Sequence, residues 1–135
     1  MSARILVVDP DRAFLRAVRR SLTLDGHLVA TARDGFAGLR FLHDFTPTLV
    51  LIEVLMPDKD GIECLLEIKR DCPHTKVVAM SGGKGSLNRA FVLNLAAKLG
   101  ADGVLAKPFD RCQLACAVRE ALAGDQDPAT TEFKP

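Results

Sequence analysis

Short apolar runs alternate along this chain with longer stretches in which apolar residues recur every three or four positions. Arg4-Ile5-Leu6-Val7-Val8-Asp9 is a continuous apolar run closed by an acid, the pattern of a parallel strand buried on both faces. The run over 48–53 repeats it and closes on Glu53. Further strands are predicted at 27–32, after an Asp25-Gly26 turn, and at 76–80 and 102–106. Between them, residues 11–24 carry Phe14, Leu15, Val18 and Leu22 on one helical stripe. Helices are also predicted at 35–43, with Asp34 as its N-cap, and at 62–70, 87–99 and 110–123. Gly100 is a natural C-terminal stop for the fourth helix. On that helix a wheel puts Phe91, Val92, Leu95, Ala96 and Leu99 toward the core and Ala90, Leu93 and Ala97 outward.

Strand–helix units repeated in this way predict an α/β domain, with helices on both faces of a parallel sheet. Right-handed crossovers and five strands favour the flavodoxin-like, doubly wound order 2-1-3-4-5. A chain of 135 residues is one domain by size, expected to fold over 1–123. Residues 124–135 are polar and proline-bearing without apolar periodicity, and are expected to form a loosely ordered tail.

Composition narrows the function classes. The net charge of +1 marks neither a nucleic-acid nor a membrane-surface binder. The apolar runs are too short to span a bilayer, and no charged segment leads into an apolar one at the start, so the expected compartment is the cytoplasm. Cys64, Cys72, Cys112 and Cys116 form no C-x-x-C pair, which favours reduced, mostly buried thiols over a zinc or redox site. His27, His43 and His74 are scattered and read as structural or solvated. The loop Ser81-Gly82-Gly83-Lys84-Gly85-Ser86 lacks the spacing of a phosphate loop and follows the wrong strand for one. Arg12, Arg16, Arg19 and Arg20 make a basic stripe on the first helix, a solvated face or a contact for an acidic partner.

In this strand order ligands gather at the carboxyl ends of the first and third strands. Those ends carry Asp9 and Glu53, while Ser81 follows the fourth strand and Lys107 the fifth. Two carboxylates, a hydroxyl and an ammonium at one sheet edge suit magnesium-assisted phosphoryl chemistry. The carboxylates would hold the hard cation, and the hydroxyl and lysine would contact phosphate oxygens.

These residues resemble the receiver domain of two-component response regulators. The similarity covers residues 4–123: Ile5-Leu6-Val7-Val8-Asp9; Leu51-Ile52-Glu53 with Met56-Pro57 and Asp60-Gly61; Met80-Ser81; and Gly100-Ala101-Asp102 leading to Lys107-Pro108-Phe109. In such domains an aspartate on the third strand takes a phosphoryl group from a kinase phosphohistidine, held by magnesium, a hydroxyl and a lysine. The resemblance puts Glu53 at the phosphoacceptor position, Ser81 at the hydroxyl switch and Lys107 at the phosphate-contacting lysine. Asp9, Glu53 and the Leu55 carbonyl fall at the metal positions.

The chain departs from that pattern at three places. Glu53 is one methylene longer than aspartate, shifting its carboxylate by up to about 1.5 Å, and in-line transfer tolerates such shifts poorly. Pro10 replaces the second acid of the first-strand pair, and Asp11 is expected to cap the first helix instead. Val104 stands where an aromatic switch residue is usual. The expectation is therefore an atypical phosphorelay receiver, not an enzyme, that acts through protein contacts without phosphorylation of Glu53. It would hold magnesium weakly or not at all, and Lys107 would lie within ion-pair reach of Glu53 or Asp9. Its expected partner is a histidine kinase or downstream effector, with a homodimer through the outward strip of the fourth helix as another possibility. Two alternatives stand beside this reading: a conventionally phosphorylated, magnesium-dependent receiver using Asp9 or Asp11, and a small flavodoxin-like cofactor binder.

Overall fold

The computed structural model describes residues 2–84 and 87–124. Gly85 and Ser86 of the glycine-rich loop, and the tail predicted at 124–135 from residue 125 onward, lie outside the described residues. Five strands, β1 (Arg4–Val8), β2 (Leu28–Ala32), β3 (Leu49–Glu53), β4 (Lys76–Ser81) and β5 (Gly103–Ala106), alternate with five helices. The helices are α1 (Arg12–Leu24), α2 (Gly35–Phe45), α3 (Gly61–Asp71), α4 (Arg89–Lys98) and α5 (Arg111–Ala123). The strands pair in parallel in the order β2-β1-β3-β4-β5, the doubly wound arrangement expected from the sequence.

Alternation along the central strands divides the core into two layers. Ile5, Val7, Leu49, Leu51, Val78 and Met80 pack with Leu15, Val18 and Leu22 of α1 and Leu114 and Val118 of α5. Leu6, Val8, Val50, Ile52, Val77 and Ala79 pack on the opposite face with residues of α2, α3 and α4. Both faces of β1 and β3 are therefore dry, which explains why their sequences run apolar without alternation.

Each helix begins where a side chain satisfies its free N–H groups. Asp11, Asp34, Asp60, Asn88 and Asp110 each accept a bond from the third residue beyond. Asn88 explains why α4 starts two residues later than the periodicity suggests. Gly100 ends that segment in the left-handed region, at φ 115°.

The predicted wheel of α4 holds for Val92 and Ala96 inside and for Ala90 and Ala97 outside, but not for Leu93, Phe91, Leu95 and Leu99. Val92, Leu93 and Ala96 form its buried stripe, with Leu93 only 6% exposed, whereas Phe91, Leu95 and Leu99 lie on the surface, Phe91 at 60%. The physical reason is the edge of the sheet. α4 packs on β4 and on β5, the last strand, so the sheet supports only part of the helix's circumference. The thiols also depart from expectation: Cys64 alone is fully buried, Cys72 and Cys116 are half-buried and Cys112 is exposed. Burial pushes the Cys64 thiol up to about 11, so it packs as a small hydrophobe.

Candidate functional site

The register of the sheet brings the strand ends together. Val8 lies opposite Ile52, Glu53 opposite Met80, and Ser81 opposite Ala106. The residues just past those ends, Asp9 and Lys107, therefore meet Glu53 and Ser81 at one edge. Asp9, Glu53 and Ser81 are the buried polar residues among those described, at 2%, 7% and 0% exposure. Buried polar residues at neighbouring strand ends of an otherwise apolar interior make this edge the candidate site.

Lys107 organises this cluster. Its Nζ donates to Asp9 Oδ2 at 2.5 Å and to Glu53 Oε1 at 2.6 Å. The second oxygen of each carboxylate is held by the backbone: Asp11 N–H donates to Asp9 Oδ1 and Leu55 N–H to Glu53 Oε2, both at 2.9 Å. All four carboxylate oxygens thus carry a donor. Burial draws Lys107 toward release of its proton, but hydrogen bonds to Asp9 and Glu53 outweigh it, and the ammonium stays charged beyond the ordinary lysine range.

Two residues support Lys107 that the sequence did not single out for this site. The Phe14 ring lies beneath the ammonium, 4.1 Å from Nζ to its centroid, and Phe109 meets Phe14 edge to face at 5.7 Å. Phe14 was legible only as a core position of α1. On the other side, the Arg89 guanidinium donates to the Lys107 carbonyl at 2.6 Å. No local pattern connects residues 18 apart across two loops, so no sequence signal for it existed.

The remaining predicted residues take local roles. Ser81 Oγ accepts the Gly83 N–H at 3.1 Å, folding the hydroxyl into the β4–α4 loop. Leu55 enters through its N–H, on Glu53. Asp11 turns its carboxylate to the Phe14 N–H and caps α1, as the sequence implied, which keeps it out of the cluster. Pro10 follows Asp9 and offers no side-chain ligand. Among the described residues no group of three or more His, Cys, Asp and Glu comes together. Pro10 brings no second carboxylate beside Asp9, and each oxygen of Asp9 and Glu53 already accepts a hydrogen bond.

Gly61 holds the loop after Glu53 against the strand. A Cβ there would stand 2.4 Å from the Glu53 carbonyl oxygen and 2.7 Å from Val54 Cα, both backbone atoms. Its N–H donates to the Val54 carbonyl at 2.7 Å. The Asp60-Gly61 pair thus serves a cap and a close backbone approach at once.

A sequence profile described as the response regulator receiver domain matches residues 5–119. The response regulator MprA of Mycobacterium ulcerans (strain Agy99) is 33% identical over 122 residues, 90% of this chain and 51% of that protein. The chain spans about half the length of the MprA relatives it matches. Among solved structures, a response regulator receiver domain protein from Clostridium thermocellum superposes with a TM-score of 0.83 at 31% identity, over 92% of this chain and 97% of that one. NtrX from Brucella abortus gives 0.87 at 28% identity, over 99% of this chain and 30% of that one.

Proposed function

Since this chain belongs to the family of response regulator receiver domains, the signalling modules of two-component systems, we propose that its conformation is set by the Lys107 clamp instead of by phosphorylation. The observation that carries this reading is the double hydrogen bond from the Lys107 ammonium to Asp9 and Glu53. An incoming phosphoryl group would need that ammonium and one free oxygen of the acceptor. Here the ammonium is taken, and the other Glu53 oxygen is tied to the Leu55 N–H. Glu53 itself supplies the anion that a phosphoryl group would otherwise bring to Lys107.

Magnesium is held weakly or not at all in this reading, because Asp9 and Glu53 provide two carboxylates already engaged and Pro10 provides none. The module works by binding a signalling protein, a histidine kinase or a downstream effector, through its surface. Among the described residues no helix is long and apolar enough to cross a membrane.

Titration with beryllofluoride and magnesium, followed by two-dimensional NMR, tests the reading. The amides of Glu53, Ser81 and Lys107 are expected to stay in place at concentrations that saturate a phosphorylatable receiver. Saturable shifts of those amides would contradict it.

A further inference from the structure

Among the described residues, a side chain of α4 reaches the clamp directly. Arg89 is the first residue of α4, and its guanidinium reaches across the β4–α4 loop to the backbone carbonyl of Lys107. It occupies a position that helix physics disfavours, since a cation at the N-terminus opposes the helix dipole. No carboxylate of the described residues pairs with it. The loop beneath is tightly fitted. A Cβ on Gly83 would stand 3.0 Å from the Arg89 N and 2.8 Å from the Leu87 carbonyl oxygen, and Gly83 itself lies at φ 81°. A Cβ on Gly82 would sit in ordinary contact with Lys107 Cβ, at 3.5 Å. Ser81 Oγ, whose residue is wholly buried beside the clamp, holds the Gly83 N–H.

We propose that Arg89 is a positioning residue that links the Lys107 clamp to α4, so that pairing of Lys107 with Glu53 and Asp9 holds α4 and its exposed Phe91, Leu95 and Leu99 in one placement. The proposal rests on the clamp reading and adds the route by which it reaches the surface. Lys107 is the common member. Its ammonium is pinned in the pocket, its N–H donates to the Ser81 carbonyl at 3.0 Å, and its own carbonyl receives Arg89. With both ends of the residue fixed, the carbonyl presents one acceptor position to α4. When the ammonium is released, that position is no longer defined.

Amide hydrogen exchange over residues 91–96, measured in the whole chain, reads the link. Arg89→Ala should speed exchange there about tenfold, the scale of one charge-assisted hydrogen bond. Alanine is the better helix former and removes the unfavourable charge, so a merely local role predicts slower exchange. Arg89→Lys, which can still donate to a single carbonyl, should recover much of the protection. Lys107→Met, which keeps the carbonyl and loses the ammonium, should give a similar acceleration, and adding Arg89→Ala to it should give little more. Glu53→Gln provides a gentler release of the clamp should Lys107→Met fold poorly, and α1 amides serve as the internal reference. Independent, additive effects, or unchanged exchange in Arg89→Ala, would overturn the link. Phosphorylation of the same samples, read by intact mass, would overturn the clamp reading separately and leave the Arg89 cycle interpretable.

Discussion

Lys107 shows how one cation makes two buried acids tolerable. Asp9 and Glu53 side chains are 2% and 9% exposed, and without an ammonium between them they would repel in a poorly hydrated space. Lys107→Ala is expected to cost about 3 kcal/mol at neutral pH, the range for removing one partner of a buried pair, against under about 1 kcal/mol for a surface pair. Urea denaturation at pH 7 measures this, and an unchanged midpoint would mean that the bonds contribute nothing. The pH dependence has a definite sign. The folded state binds the Lys107 proton more tightly than the unfolded chain, so the contribution is complete below the unfolded lysine value of about 10.4. It is lost as pH rises through the higher folded-state value. Above about pH 10.4 the wild type should therefore lose stability that Lys107→Met does not. Parallel losses in the two proteins would contradict the raised affinity.

Among the elements, α4 and the turn before α3 make the sharpest predictions. Leu93→Ala should cost roughly 2–4 kcal/mol because Leu93 is buried, whereas Phe91→Ala on the exposed side should stay within about 0.5–1 kcal/mol. Thermal melts of the two variants decide between the observed stripe and the one that periodicity suggests. Gly61→Ala should destabilise by more than about 2 kcal/mol, since its Cβ would collide with the backbone of Glu53 and Val54, which cannot yield as a flexible side chain can. A variant as stable as wild type would show that the loop moves freely. The caps of α1 and α2 were legible because Asp11 and Asp34 sit directly before apolar periodicity. The α4 stripe was not, because wheel geometry says which residues share a face but not where the supporting sheet ends.

At the scale of the whole molecule, sheet order and the pairing of Lys107 with Asp9 and Glu53 were readable from sequence. Apolar runs closed by acids fix strand ends, and the doubly wound order fixes which ends converge. What the sequence did not disclose was the state of the cluster. That both acids would share one ammonium, that their other oxygens would turn to backbone N–H groups, and that Phe14 and Arg89 would brace Lys107 depend on distances no motif encodes. If Glu53 were the sole obstacle, Glu53→Asp would restore phosphorylation by acetyl phosphate. We expect little restoration, because Pro10 leaves the site one carboxylate short, and expect the double variant with Pro10→Asp to gain a magnesium-dependent phosphoryl mass that neither single change gives. The wild type tests the central claim most directly. Incubated with acetyl phosphate and magnesium and read by intact mass with peptide mapping, it is predicted to show no added phosphoryl group. Robust, magnesium-dependent modification located on Glu53 would contradict the account.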